Sequence, residues 1–387
     1  MKKKLLVFAS TFPRWKDDTN PPFVYELSKR LTKDFDVYVL APHYPEAKRY
    51  EVMDKMKVYR FRYFLEKYQK LAGSGGILPT LKKNKWFYLQ VPFFLLGEYF
   101  ALKRLVKEIK PDLVHAHWII PQGFIAALVK KSTGIPYVVT SHGSDIMGLK
   151  GFNKIKKYVL KNAKDITVVS NAIKKEILDN IDSNLDIKVI PMGVDTDLFN
   201  LKKRDNSIKK KYSINGPFLL FVGRLAPEKG IKYLIEAMPE IIKNFPKAKL
   251  MVIGDGTMKD ELQKRTNELD IKDKVIFMGW VNNKDLPKYY ATADVFVCPS
   301  LREGSPVSYI EALACGTPII VGDIPISREI VNENNGLIVK IESSEDIAKK
   351  VVNYFKGNSS KNKNIMSLVK NNYDENIVSK RFAGVLR

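Results

Sequence analysis

The stretch VFVCPSLREGSPVSYIEALACGTPIIV, residues 295–321, decides how the chain is read. Val295–Pro299 is a short run of apolar and β-branched residues, the composition of a strand buried on both faces. Gly304 and Pro306 then mark a turn. From Val307, apolar residues follow a helical rather than an alternating pattern as far as Ala314, and Pro318–Val321 is a second apolar run. Strand, turn, helix and strand in that order make a βαβ unit, whose crossover is right-handed and whose strands are parallel.

The alternation extends in both directions. Ahead of this unit, strands are expected at Phe218–Val222, Lys249–Ile253 and Val275–Met278, and after it at Gly336–Val339. Helices at Lys229–Asn244, Lys259–Leu269, Asp285–Ala291 and Ser344–Lys356 separate them. An earlier series has strands at Lys4–Ala9, Asp36–Leu40, Lys57–Arg60, Leu113–His117, Tyr137–Ser141, Ile166–Ser170 and Lys188–Pro191. Its helices include Val24–Leu31, Gly97–Ile109, Gly123–Ser132 and Asn171–Leu178. Between the two series, Asp195–Gly216 is polar and charged, and reads as a connection. The fold class is therefore α/β, with two consecutive Rossmann-like parallel-sheet domains. The boundaries expected are 1–194, a linker at 195–216, 217–365, and a C-terminal helix at 366–387 packing back toward the first domain. Open parallel sheets bind ligands beyond the carboxyl ends of their strands, at the point where strand order reverses. A substrate is thus expected where the two domains face each other across a cleft.

The 387 residues suit two such domains, with 45% hydrophobic and 28% charged residues. Cys298 and Cys315 form no C-x-x-C pair and suggest no disulfide framework, which fits a reducing, cytoplasmic setting. The start resembles a signal peptide, but its apolar run of about six residues falls short of an h-region of roughly 7–15. Trp86–Gly97 is the longest apolar stretch; Lys85 and Glu98 bound it, and it is too short for a spanning helix. The net charge is +23. Residues 1–190 hold 34 Lys and Arg against 18 Asp and Glu, whereas residues 191–387 hold 31 against 24. Nucleic acid, anionic lipid or a phosphate-bearing substrate would satisfy that basic first half, and so would a general preference for lysine.

Two segments carry chemistry. In the first, Glu303 lies in the turn and Glu311 about one turn into the following helix, so two carboxylates can bond different hydroxyls of one elongated ligand. The helix start between them offers free N–H groups to an anion. In the second, Gly223-Arg224-Leu225-Ala226-Pro227-Glu228-Lys229-Gly230 follows an apolar strand and precedes a helix. Arg224 offers a fork and Lys229 a point charge to phosphate. The segment lacks the spacing of a P-loop.

These residues resemble glycosyltransferase family 4, retaining enzymes of the GT-B fold. Glu303 and Glu311 stand at that family's E-x7-E spacing, followed by Ala312-Leu313-Ala314-Cys315-Gly316-Thr317-Pro318. Gly223-Arg224 with Lys229-Gly230 is similar to its diphosphate clamp. Val252–Gly256, Val275–Val281, Asp112–Trp118, Thr140–Ile146 and Ile190–Asp195 match further strand-end patterns in the right order. The resemblance implies a nucleotide-sugar donor, UDP- or GDP-linked, gripped in the second domain. Arg224 and Lys229 would neutralise the leaving diphosphate beside Gly223. Glu303 would bind sugar hydroxyls, helped by the turn Gly304-Ser305-Pro306-Val307, where Pro306 has no N–H to offer. Glu311 would hold the ribose, and backbone near Met278 and Val281 the base. His142 would reach the donor sugar, with Asp145 and His117 on the acceptor side. No metal and no other cofactor is implied. Asp195-Thr196-Asp197 is a D-x-D, but it falls at the linker, and His115 with His117 lack a third ligand.

Two departures stand out. Asn20-Pro21-Pro22 replaces the Gly-Gly pair of many relatives in the loop Ser10–Phe23, and Met192 stands where many have Asn. The first domain of this fold usually takes the acceptor. Its basic balance and the aromatic run Trp86–Leu96 suggest a saccharide or polyprenyl-linked acceptor in cell-surface polysaccharide synthesis, met at an anionic membrane face. The alternative for the run is a core helix. Rival readings are a glycan phosphorylase, which needs pyridoxal phosphate, and a nucleic-acid-binding protein, for which no recognition motif is present.

Overall fold

The computed structural model describes the chain except residues 1, 16, 17, 19–22, 74, 75, 150 and 358–362; Asn20-Pro21-Pro22 lies outside the described residues. The chain divides into two compact units. One comprises Met1–Gly193 with Glu375–Arg387, the other Val194–Asp374.

The first unit opens with β1 (Lys4–Phe8), α1 (Phe23–Leu31), β2 (Asp36–Pro42), β3 (Tyr50–Met53) and β4 (Met56–Phe61). Then come α2 (Ile77–Lys83), α3 (Val91–Ile109), β5 (Leu113–His117), α4 (Phe124–Thr133) and β6 (Tyr137–Ser141). It closes with α5 (Asn153–Asn162), β7 (Asp165–Val168), α6 (Asn171–Asn180) and β8 (Ile187–Val189). The strand order is β3-β4-β2-β1-β5-β6-β7-β8. Every pairing is parallel except β3 with β4. β3 was not expected. Its residues alternate between exposed and half-buried, so it carries no apolar signal, and main-chain pairing alone makes it a strand. The order reverses between β1 and β5, which places Ala9 and Trp118 beyond the strand ends at the switch point.

The second unit runs α7 (Asn206–Lys211), β9 (Phe218–Val222), α8 (Ile231–Asn244), β10 (Lys249–Ile253), α9 (Lys259–Glu268), β11 (Val275–Gly279) and α10 (Leu286–Thr292). It continues with β12 (Val295–Cys298), α11 (Val307–Ala314), β13 (Ile319–Gly322), α12 (Pro325–Ile330), β14 (Gly336–Val339), α13 (Ser344–Lys356) and α14 (Lys363–Tyr373). Its sheet is wholly parallel, in the order β11-β10-β9-β12-β13-β14. Numbered within the unit this is 3-2-1-4-5-6, the doubly wound dinucleotide-type order. The sheet residues are buried on both faces because helices cover both, which is why these strands read as continuous apolar runs rather than alternating ones.

Two boundaries differ from the sequence reading. Residues 195–216 are no bare linker: Phe199, Ile208 and Ile214 enter the core of the second unit, and α7 forms within the segment. The end of the chain makes two helices. α14 belongs to the second unit, and α15 (Glu375–Leu386) packs on α1 in the first, burying Val378, Phe382 and Leu386.

Candidate functional site

In the second unit the strand order reverses between β9 and β12, which pair at Val295–Leu219 and Phe296–Leu220. Two chain segments leave the sheet side by side there. From β9 the chain passes Gly223, whose N–H donates to Ile253 O at 3.0 Å. Gly254 beside it has φ +140°, and a Cβ there would stand 1.9 Å from Gly223 O, so only glycine lets these two strand ends approach. A single helical turn, Pro227–Lys229, ends at Gly230 with φ +64°, where a Cβ would meet Pro299 O at 2.0 Å. That close approach brings the exit of β9 against the exit of β12.

The contact places Lys229 against Glu303. Lys229 Nζ donates to Glu303 Oε1 at 2.6 Å, and Ser300 Oγ donates to the same oxygen at 2.7 Å. Ser300 is also 3.3 Å from Cys298 Sγ, whose thiol burial pushes up to about 11. Burial acts to lower the Lys229 ammonium, but attraction to Glu303 outweighs it, and the group sits above its ordinary value. Arg224 is close enough to oppose this slightly; its own guanidinium donates to Glu228 Oε1 at 2.6 Å and is partly exposed. The two cations expected to meet an anion are therefore each matched by a carboxylate.

Glu311 has a different environment. It is buried on α11, and its Oε2 accepts from Tyr290 OH at 2.9 Å. Burial, partly offset by that hydrogen bond, raises its carboxyl to about 7. At the start of α11 the Val307 N–H already donates to Ser305 O at 3.0 Å, so it is less available to a ligand than expected. The N–H groups of Gly304 and Ser305 form no hydrogen bond among the described residues. Pro306 precedes the helix with φ −78°. Met278 on β11 and Val281 just after it pack against the core at the edge of the sheet. Three strand spacings of about 4.8 Å put β11 roughly 14 Å from β12. The structure thus brings Lys229 and Glu303 together, keeps Gly223 and Arg224 near them, gives Glu311 a separate partner in Tyr290, and places Met278 on the edge strand.

The first unit has its own cluster at the ends of β5 and β6. His117 Nδ1 lies 2.9 Å from His142 Nε2, and their rings stack at 5.2 Å and 16°. His115 Nε2 contacts Thr140 Oγ1 at 2.7 Å, and Thr140 in turn meets Thr167. Burial pushes His115 and His142 down to about 3 and His117 well below its ordinary value, so all three rings are neutral at pH 7. Trp118 (φ 74°) and Phe23 flank His142 at 4.9 and 5.0 Å. Asp145 is turned inward: its oxygens accept from Ser141 Oγ at 2.8 Å and Ile119 N–H at 2.6 Å. It shapes the turn rather than offering a free carboxylate. Nearby, Glu98 on α3 is fully buried, and its Oε1 accepts from Gln122 Nε2 at 2.6 Å. Glu98 Oε2 and Gln122 Oε1 are buried with no hydrogen-bond partner among the described residues. Burial raises this carboxyl well above its ordinary value.

Sequence reasoning missed Ser300, Tyr290 and Glu228. Ser300 adjoins the motif but has no diagnostic spacing, and Tyr290 reaches Glu311 from 21 residues away. Asp195, first acid of the D-x-D, caps a turn by accepting from the N–H groups of Asp197 and Leu198.

Residues 203–371 match the family model "Glycosyl transferases group 1", and residues 22–198 match "Glycosyltransferase Family 4". The chain is 32% identical over 279 residues to an uncharacterized glycosyltransferase of Methanocaldococcus jannaschii, covering 66% of this chain and 71% of that one. It is 33% identical to a putative teichuronic acid biosynthesis glycosyltransferase, TuaC, of Bacillus subtilis, covering 64% and 62%. To the UDP-Gal:alpha-D-GlcNAc-diphosphoundecaprenol alpha-1,3-galactosyltransferase of Escherichia coli it is 30% identical, covering 65% and 68%. Among solved structures, sucrose-phosphate synthase from Thermosynechococcus elongatus aligns with a TM-score of 0.82 at 19% identity over 99% and 98% of the chains. HepE of Anabaena, in complex with UDP, aligns at 0.72 with 18% identity over 100% and 99%.

Two α/β units with sheets of this order have the GT-B fold, and the family models and relatives make the chain a glycosyltransferase. Within that class the chain belongs to the family 4 type.

Proposed function

We propose that the protein is a retaining, metal-independent hexosyltransferase. Its donor is a UDP- or GDP-linked sugar, and its acceptor a saccharide or lipid-linked saccharide of a cell-surface glycan. The observation that carries this reading is the Lys229–Glu303 contact at the switch point of the second sheet, where α/β folds of this order hold their ligands.

In this reading Glu303 accepts hydrogen bonds from donor-sugar hydroxyls, with Ser300 fixing its orientation. Lys229 and Arg224 turn from Glu303 and Glu228 toward the diphosphate. As the anomeric C1–O bond to phosphate breaks, negative charge grows on the leaving oxygen, and these two cations stabilise it where a metal would otherwise be needed. The acceptor oxygen forms its bond to C1 on the same face, and its proton passes to the departing phosphate oxygen. Glu311 accepts from the ribose hydroxyls, and backbone near Met278 and Val281 meets the base. The neutral His142 ring hydrogen-bonds a sugar hydroxyl, with His117 behind it.

Relatives support the substrate class. HepE is described in complex with UDP, and the Escherichia coli relative is named for galactosyl transfer from UDP-Gal to a diphosphoundecaprenol-linked sugar. We therefore place the acceptor's lipid at a membrane surface. A thermal-shift screen of UDP, GDP, ADP and their sugars, with and without EDTA, tests the donor. One nucleotide should raise Tm in proportion to the logarithm of its concentration, equally in EDTA. A shift that requires Mg²⁺ or Mn²⁺ would contradict the metal-free reading.

A further inference from the structure

α3 has two opposite faces. Phe94, Glu98, Leu102, Leu105 and Ile109 point inward and are buried. At about 100° per residue, Phe93, Leu96 and Phe100 fall on the opposite side of the helix. They are 52%, 55% and 64% exposed, and Trp86 and Leu89 in the preceding helical turns are 74% and 57% exposed. Leu65, 64% exposed, is held beside them: Phe64 packs edge-on against Phe93 at 5.5 Å, and Gln90 Nε2 donates to Tyr68 O at 3.0 Å. A continuous apolar patch of this kind marks an interaction surface rather than an ordinary solvated helix.

Charge identifies the partner. The same stripe continues along α3 into Arg104 and Lys107, with Lys103 adjacent, while Lys82, Lys83 and Lys85 stand ahead of Trp86. The segment's acids are Glu98, which is buried, and Glu108. An apolar, aromatic-rich centre with cations at both ends suits a lipid bilayer with anionic headgroups: rings reach the acyl boundary while ammonium and guanidinium groups meet phosphates. A second copy of the chain fits poorly, since a self-complementary contact would bring the two sets of cations together. No helix among the described residues is long and apolar enough to cross a membrane, so the contact lies in the interface plane.

We propose that the exposed face of α3, with the Trp86–Leu89 turn, docks this protein on an anionic bilayer. The proposal deepens the transferase reading, because the docked face belongs to the unit that would receive the lipid-linked acceptor. The test is co-sedimentation of the full chain with vesicles of phosphatidylcholine alone or containing phosphatidylglycerol. Two double variants accompany it, F93S/F100S and R104E/K107E, with circular dichroism to establish that each is folded. The wild type should sediment with the phosphatidylglycerol vesicles and not with phosphatidylcholine alone, and added salt should weaken it. Each variant should bind at least about tenfold more weakly, given the size of interfacial apolar and basic contributions. Nucleotide-induced thermal shifts should be unchanged in both variants. Failure of the wild type to sediment, or variants that sediment equally well, would overturn the proposal. So would a dimer in analytical ultracentrifugation that F93S/F100S disperses. Absence of any nucleotide shift in the wild type would instead overturn the transferase reading alone.

Discussion

Lys229 and Glu303, 74 residues apart in sequence, meet at 2.6 Å where β9 and β12 leave the second sheet. Each neutralises the other in a largely buried setting, with side chains 17% and 10% exposed. Removing one partner leaves the other charge uncompensated. Lys229→Ala and Glu303→Ala should each lower the unfolding free energy by about 1–3 kcal/mol, and the double variant by no more than the larger single loss. Denaturant titration of the four proteins measures this. Fully additive losses would mean that the pair does not form in solution.

Glu311 gives a pH signature. Its folded-state pKa is raised from 4.5 to about 7, chiefly by burial. A raised carboxyl stabilises the fold fully below 4.5, and that stabilisation is lost as pH rises through about 7. If the ribose hydroxyls donate to the ionised form, nucleotide-sugar affinity runs the other way. It should strengthen about tenfold from roughly pH 6 to pH 8, following ionisation of one group. Calorimetric titration at several pH values would show it, and Glu311→Gln should flatten the curve. An unchanged slope in Glu311→Gln would detach Glu311 from the donor.

The histidine cluster makes a spectroscopic prediction. The chain has four histidines, and burial holds His115 and His142 at about 3 and His117 well below 6.5. Their ring proton resonances should keep neutral-imidazole shifts from pH 8 down to about pH 5, since a depressed histidine does not titrate in its usual range. The linkage follows: stability is complete above 6.5, the unfolded value, and falls as pH drops toward 3, because the unfolded chain binds protons that the folded one does not. Titration of all four resonances near 6.5 would contradict the buried geometry.

Glu98 should behave as a neutral acid. Burial raises its pKa well above 4.5, so it too loses stabilisation as pH rises. Glu98→Gln keeps a partner for Gln122 and removes the titration. It should match the wild type at pH 5 and exceed it at pH 8 or above in denaturant midpoint. A variant weaker at both pH values would show that Glu98 is needed as a carboxyl.

Much of this was legible in the sequence because buried parallel strands are continuous apolar runs, as Phe218–Val222 and Val295–Cys298 are. The turn chemistry around Gly230 and Gly304 placed the candidate site for the same reason. Other parts left no such trace. Phe199, Ile208 and Ile214 reach the core singly from a lysine-rich segment, so no period announced them. The aromatic run Trp86–Leu96 divides into a helical turn and the start of α3, with Phe94 inside and Phe93 outside, so the core-helix reading holds for only some of its side chains. Nor does spacing reveal that Arg224 is matched by Glu228, or that Ser300 and Tyr290 orient the two glutamates. Those contacts join residues that only the folded sheet makes neighbours.

The most direct measurement is release of nucleoside diphosphate from UDP- and GDP-hexoses in EDTA, by the wild type, Lys229→Ala and Glu303→Gln. Loss of one preorganised charge at the leaving group typically costs about 10²–10³ in rate. The wild type should turn over at least one donor without metal, and each variant should fall by that factor or more while still folded. Turnover by Lys229→Ala at the wild-type rate, or no release from any donor by the wild type, would contradict the account.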